Sequence, residues 1–311
     1  MRAALFALSV VVVSSLVWAQ QTPGTNPPST SLDTARCANK IAIAVTGKSA
    51  SGALLASPSP QSQVDQLLES PESVERLARF LNSRFNDEPG NASVDDAAYH
   101  LARHVLLNKL PFQQLFVGPF RVETANNQVQ VVNDPNGLGY FRSVAWLRRY
   151  AGNEEQGIKL NTAYRILNNM TGLSLTAVAI VPGLDVSANG RRNAACSACH
   201  YDSWYALDKV ASVLSKRVGS GDMMRFEPPT GGPKEVLNGQ MISDDKGLVG
   251  ALAASADFEV HVCRLAFGYV YGRNELSCEG PLFDSCIDAF RAQKTIQAAV
   301  ASLVKDASYC R

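Results

Sequence analysis

The run Cys196-Ser197-Ala198-Cys199-His200 constrains this chain more than any other stretch of it. A C-x-x-C-H run sets two thiols about one helical turn apart, with an imidazole directly after them. That spacing suits covalent attachment of a c-type haem. Each thiol can add to one vinyl group, and the histidine can bind the iron as its proximal ligand. The expected cofactor is therefore one covalent haem c, held by Cys196 and Cys199 with its iron on His200. After the motif, Trp204, Leu207, Val210 and Leu214 recur at helical spacing. The motif is thus expected to run on into a helix that steadies the imidazole.

There is one such motif, and the histidines are His100, His104, His200 and His261. That inventory excludes a chain of haems and a two-haem arrangement. For the sixth iron position, the loop methionines Met224 and Met241 come first, with Met223 beside them. Methionine ligation suits electron transfer and raises the potential. His261, on an apolar helix, also reads as a core histidine with a satisfied ring. His100 and His104, four apart on one helix face, also read as a surface pair. Met170 reads as core, and an open sixth position is the remaining alternative. Arg191 and Arg192 precede the motif. They could pair with haem propionates or form a solvated basic turn.

The motif cysteines have competing uses. A thioredoxin-like redox pair expects a βαβ context, which the sequence lacks. Zinc would need a fourth ligand, another Cys or His. A plain Cys196–Cys199 disulfide is the third alternative. The chain has seven cysteines, so five lie outside the motif. They allow at most two disulfides and leave one thiol over. Cys278 and Cys286 are the nearest pair along the chain. Cys37, Cys263 and Cys310 then share one bond, with Cys263–Cys310 expected.

Disulfides belong in an exported protein, and the N-terminus reads as an export signal. Arg2 precedes an apolar run from Ala3, and Val17 and Ala19 suit cleavage before Gln20. Residues 1–19 are read as a cleaved signal peptide, with an uncleaved anchor as the alternative. Residues 20–36, rich in Pro, Ser and Thr, read as a flexible linker. The expected location is periplasmic or at the cell surface, with no integral membrane span after cleavage.

Elsewhere the periodicity is mostly helical. Ser70-Pro71 is a helix start, with Val74, Leu77, Phe80 and Leu81 on one face through Phe85. A second helix follows Asp96, with Ala97, Leu101, Val105 and Leu106. Residues 120–132 alternate on either side of Asn126-Asn127, the pattern of a β-hairpin. The stretches 248–256, 258–271, 283–292 and 295–305 are further helices. Gly219-Ser220-Gly221 and the proline-glycine run 228–233 frame a long loop of functional type. The acidic pairs Asp95-Asp96 and Asp244-Asp245 sit at helix starts and read as caps. Asn91 and Asn169 open glycosylation sequons of a kind that recurs by chance.

Hydrophobic residues make up 46% of the chain and charged ones 18%, which supplies a sizeable core and excludes disorder. Lys and Arg total 29 against 28 Asp and Glu. That balance leaves no electrostatic footprint for nucleic acid. Metalloprotease, serine-hydrolase, P-loop and dinucleotide-binding motifs are absent from the sequence.

Three stretches stand out: Val64–Pro71 with Glu75–Phe80, then His104–Leu115 with Pro111-Phe112, and last Leu237-Asn238-Gly239 through Leu248, Leu252, Ser255, Phe258 and Arg264 to Tyr271-Gly272-Arg273. Together they resemble a known family, the planctomycete-type cytochrome c-like proteins. The resemblance covers about half of the chain. It implies an exported, mostly α, haem-linked protein and transfers no substrate. The extra C-terminal cysteines and the compact length depart from the family's longer members.

The expected fold is mainly α, with a helical cytochrome c-like haem domain, a helical N-terminal part and a small β-hairpin. Residues 37–170 form the N-terminal region with the hairpin, and 171–311 the haem-binding region. The expected function is one-electron transfer between redox protein partners, with the chain a carrier more than an enzyme. The rivals are a haem enzyme or gas sensor with an exchangeable sixth ligand, and a haem-free zinc-binding or disulfide-stapled interaction module.

Overall fold

Several of the helices form where a polar cap precedes an apolar stripe. The computed structural model describes residues 31–90, 92–151, 159–176, 183, 185–220 and 225–311. The expected signal peptide 1–19, the linker up to residue 30, Asn91, Met223 and Met224 lie outside them. Ser31 accepts from the Thr34 amide and starts α1 (Leu32–Thr46), which ends at Gly47 with φ 73°. The expected linker thus gives way to helix at Leu32 rather than after Arg36. The cause is the Ser31 cap and a buried face that carries Cys37, Ile41 and Val45.

Two short turns, α2 (Gly52–Leu55) and α3 (Val64–Leu68), lead to α4 (Pro71–Phe85). Ser70 caps α4 by accepting from the Ser73 amide, and Pro71 takes the first position, as the sequence predicts. Next comes α5 (Ala97–Leu107), which packs against α4. The Asp95-Asp96 pair does not cap it. The buried Asp96 carboxylate instead accepts from Asn82 Nδ2 (2.9 Å), Asn86 Nδ2 (3.1 Å) and the Gly90 amide (2.9 Å). It staples the connection between α4 and α5.

After α6 (Gln114–Val117) the hairpin forms where the alternation places it, as β1 (Phe120–Ala125) and β2 (Gln128–Asn133). Asn126 and Asn127 both take positive φ, 50° and 60°, and Ala125 pairs with Gln128. That is the two-residue turn whose twist matches the strands. The chain then reaches α7 (Val144–Arg149) and α8 (Leu160–Thr171). Met170 is fully buried.

The motif begins in α9 (Ala194–Ser197) and is followed by α10 (Leu207–Ala211). The expected long loop is partly sheet. There β3 (Lys216–Val218) pairs with β4 (Arg225–Glu227), and β5 (Lys234–Val236) with β6 (Gln240–Ile242), all antiparallel. Three-residue strands carry no readable alternation. The last helices are α11 (Asp245–Ala253), α12 (Ala256–Tyr271), α13 (Gly280–Gln293) and α14 (Ile296–Lys305). Asp244 caps α11 by accepting from the Gly247 amide (2.8 Å), as expected. Asp245 is instead buried and takes a two-pronged bond from Arg142 (2.7 and 3.2 Å).

One set of buried side chains runs from Cys37 to Tyr309, so residues on both sides of position 170 share a core. Trp146 sits in it, ringed by Tyr140, Phe141 and Tyr150. Polar bonds cross it as well: Tyr269 donates to the Val45 carbonyl (2.6 Å) and Tyr140 to the Phe85 carbonyl (3.0 Å). Among the described residues no helix is long and apolar enough to cross a membrane.

The disulfide count agrees with the sequence, but the pairing does not. Cys37 joins Cys310, and Cys263 joins Cys286. Cys278 is the exposed thiol left over. Cys278–Cys286 fails because Cys286 lies on the buried face of α13, while Cys278 precedes that helix. Eight helical residues span about 12 Å, well beyond disulfide reach. Cys263 on α12 faces Cys286 instead, and Cys310 falls against Cys37 on α1.

Candidate haem site

The motif occupies a helical stretch that faces outward. From Ala194 to Asp202 no side chain is buried. Cys196, Cys199 and His200 are each half-buried. The two cysteines are unbonded thiols, so the plain disulfide is not formed. Tyr205 donates to Cys199 Sγ at 3.5 Å.

The expected helix through Leu214 does not form. After α9 the backbone widens to a π-type turn over Ala198–Asp202 and then becomes extended at Ser203 (φ −78°, ψ 167°). The hydroxyl of Ser203 accepts from the Ala206 amide (3.0 Å), and α10 restarts at Leu207. Widened turns of this kind recur at functional sites. The break folds α10 back onto the motif, which lets Asp208 meet His200.

Asp208 is the residue that sequence reasoning missed. His200 Nδ1 lies 2.7 Å from its Oδ2. Arg191 grips the same carboxylate with two bonds, Nε to Oδ2 (3.0 Å) and Nη2 to Oδ1 (2.6 Å). Tyr201 donates to Oδ1 at 3.2 Å. Burial would raise the Asp208 pKa, but the bonds from Arg191 and then His200 outweigh it and hold the carboxyl below its ordinary value. Arg191 in turn is pushed up by its bond to Asp208. An ionised carboxylate can only accept, so the ring nitrogen must donate to it. In the neutral ring this is the tautomer that leaves the Nε2 lone pair free for a metal.

Arg191 is therefore not available to a propionate. Its guanidinium is buried, with side-chain exposure of 7%, and is consumed by Asp208 and the Val186 carbonyl. Arg192 is exposed and lies over the Tyr201 ring (4.2 Å), beside the motif. It keeps the propionate role open.

The sixth-ligand candidates that the structure describes lie on different elements, Met241 on β6, His100 and His104 on α5 and His261 on α12. Met241 lies on β6 opposite Glu235 and is 65% exposed. Its hairpin borders the segment after the motif across a cavity of about 200 Å³, lined by Asp202, Ser203, Lys209 and Glu235 among others. Met224 lies outside the described residues. His100 and His104 on α5 have local partners. His100 Nε2 meets the Ala92 and Ser93 carbonyls, and His104 meets Asn108 and the Phe120 ring. His261 is half-buried beside a cavity rather than in the core, and its ring is not satisfied: Nδ1 is shut from solvent and has no partner among the described residues. The Asn169 side chain is buried, which removes that sequon from use in the folded chain.

The donor set fits a covalent haem. It offers two free thiols, an oriented imidazole, and half-buried Tyr201, Trp204, Tyr205 and Leu207 around them. Among the described residues no group of three or more His, Cys, Asp and Glu could hold a metal ion.

No family model, curated protein or solved structure matches this chain.

Proposed function

We propose that the chain is an exported monohaem c-type cytochrome that transfers single electrons between redox proteins. One observation carries the reading: two unbonded thiols in C-x-x-C spacing precede a histidine whose Nδ1 lies 2.7 Å from Asp208 Oδ2. Bound there, haem would supply the one-electron ferric/ferrous couple. Cys196 and Cys199 would hold it through thioether bonds. His200 would ligate from its Nε2, and Arg192 would meet a propionate. Half-buried aromatic side chains beside the motif would exclude water from one edge.

Export from a signal peptide at 1–19, and a place in the periplasm or at the cell surface, belong to the same proposal. Kinship with the planctomycete-type cytochrome c-like proteins does too. Its three resembling stretches fall largely on α3 to α6 and on α11 and α12. The sixth ligand is proposed to be Met241 or Met224, and the loss of low-spin character on replacing either identifies which.

Haem staining on a denaturing gel tests the reading. The protein should be exported from a host with c-type maturation machinery, beside a Cys196→Ala/Cys199→Ala control. A stained band that vanishes in the control is expected. A folded, soluble and unstained wild-type protein would sink the cytochrome.

A further inference from the structure

We propose that Asp208 sets the electronic character of His200 and biases the iron of a bound haem toward the ferric state. The inference rests on reading Cys196, Cys199 and His200 as the haem site.

The geometry of the contact is specific. The 2.7 Å separation between His200 Nδ1 and Asp208 Oδ2 is that of a charge-assisted hydrogen bond. Both groups are well shielded, with side-chain exposures of 21% and 11%. A low local dielectric strengthens such a bond. A carboxylate draws the Nδ1 proton more strongly than a neutral carbonyl does. The ring's electron density moves toward Nε2, which becomes the more basic ligand. A more basic ligand favours the more positive metal, here Fe(III) over Fe(II).

The backbone is arranged to make this contact. Asp208 follows His200 by eight residues. In an unbroken helix those residues would stand about 12 Å apart along the axis. The widened turn at 198–202 and the extended residue Ser203 bring them together. Arg191 completes the arrangement from the other side. Its two bonds aim the carboxylate, and its positive charge opposes part of the electron push. Asp208 and Arg191 therefore move the couple in opposite directions. Both act through His200 and are positioning residues.

The test is a mediated redox titration of the holoprotein at pH 8, with electrons supplied by an external reductant. Asp208→Asn should keep its covalent haem and shift the ferric-to-ferrous ratio about tenfold toward ferrous at a fixed ambient potential. For a one-electron couple that is a midpoint about 59 mV higher. Arg191→Gln leaves the carboxylate uncompensated, and its midpoint should fall. Asp208→Glu restores the charge and should return toward wild type. An unchanged midpoint in Asp208→Asn with unaltered ligation spectra overturns the proposal, as do shifts of the same sign in both variants. One measurement on the unmutated, reduced holoprotein is independent of any variant's folding. The His200 Nδ1 proton should be far downfield and slow to exchange by NMR, and a fast-exchanging proton overturns the proposal. Failure of the haem reading is visible earlier and separately, as an unstained wild-type band.

Discussion

His261 carries a charge prediction that its sequence context does not. Burial, and then the nearby Arg264 charge, push its pKa down to about 4. The unfolded chain binds the same proton near 6.5. Between those values the unfolded state holds the extra proton. Stability present above pH 6.5 is therefore lost as pH falls toward 4. Urea midpoints measured across this window should decline in the wild type and decline less steeply in His261→Phe. Equal slopes would show that the ring titrates freely. At this scale the sequence reveals what is local. Cys196, Cys199 and His200 are adjacent, so the proposal of haem attachment can be made from spacing alone. Asp208 reads as one more acid in a short helix, because its approach to His200 depends on a backbone break that no pattern announces. The same carboxylate engages Arg191, which its place in the chain offers as a propionate partner.

Among the elements, capped helices and the two-residue hairpin were legible, since each is specified within a few residues. Ser70-Pro71, Asp244 and Asn126-Asn127 all do what their side chains and backbone preferences dictate. The helix after the motif and the 216–242 region were not. There, tertiary contacts override helical spacing, and the strands are too short to alternate. Pairs that join distant elements were illegible for the same reason. Arg142 and Asp245 link the turn before α7 to the first residue of α11. Removing the cation leaves a carboxylate that is 4% exposed without its counter-charge. Arg142→Ala should cost about 3–5 kcal/mol in unfolding free energy. Denaturant unfolding measures this, and a loss below 1 kcal/mol would mean that water solvates Asp245.

For the whole molecule, the decisive unforeseen feature is the Cys37–Cys310 bond, which spans 273 residues. Counting thiols predicted two bridges, but their partners are fixed only once α1 and the C-terminus share the core. Closing so long a loop constrains the unfolded chain strongly. Cys37→Ser/Cys310→Ser should lower stability by about 2–5 kcal/mol, read as a lower denaturant midpoint. Reductant should produce the same shift in the wild type when it cuts this bond and leaves the buried Cys263–Cys286 bond intact, and a larger one when it opens both. Mass mapping of the alkylated thiols distinguishes the two. The bond also has a mechanical consequence. A pull on the segment before Cys37, set against a hold beyond Cys310, is carried by sulfur rather than by helix packing. The helices between the two cysteines, the motif included, are spared that load.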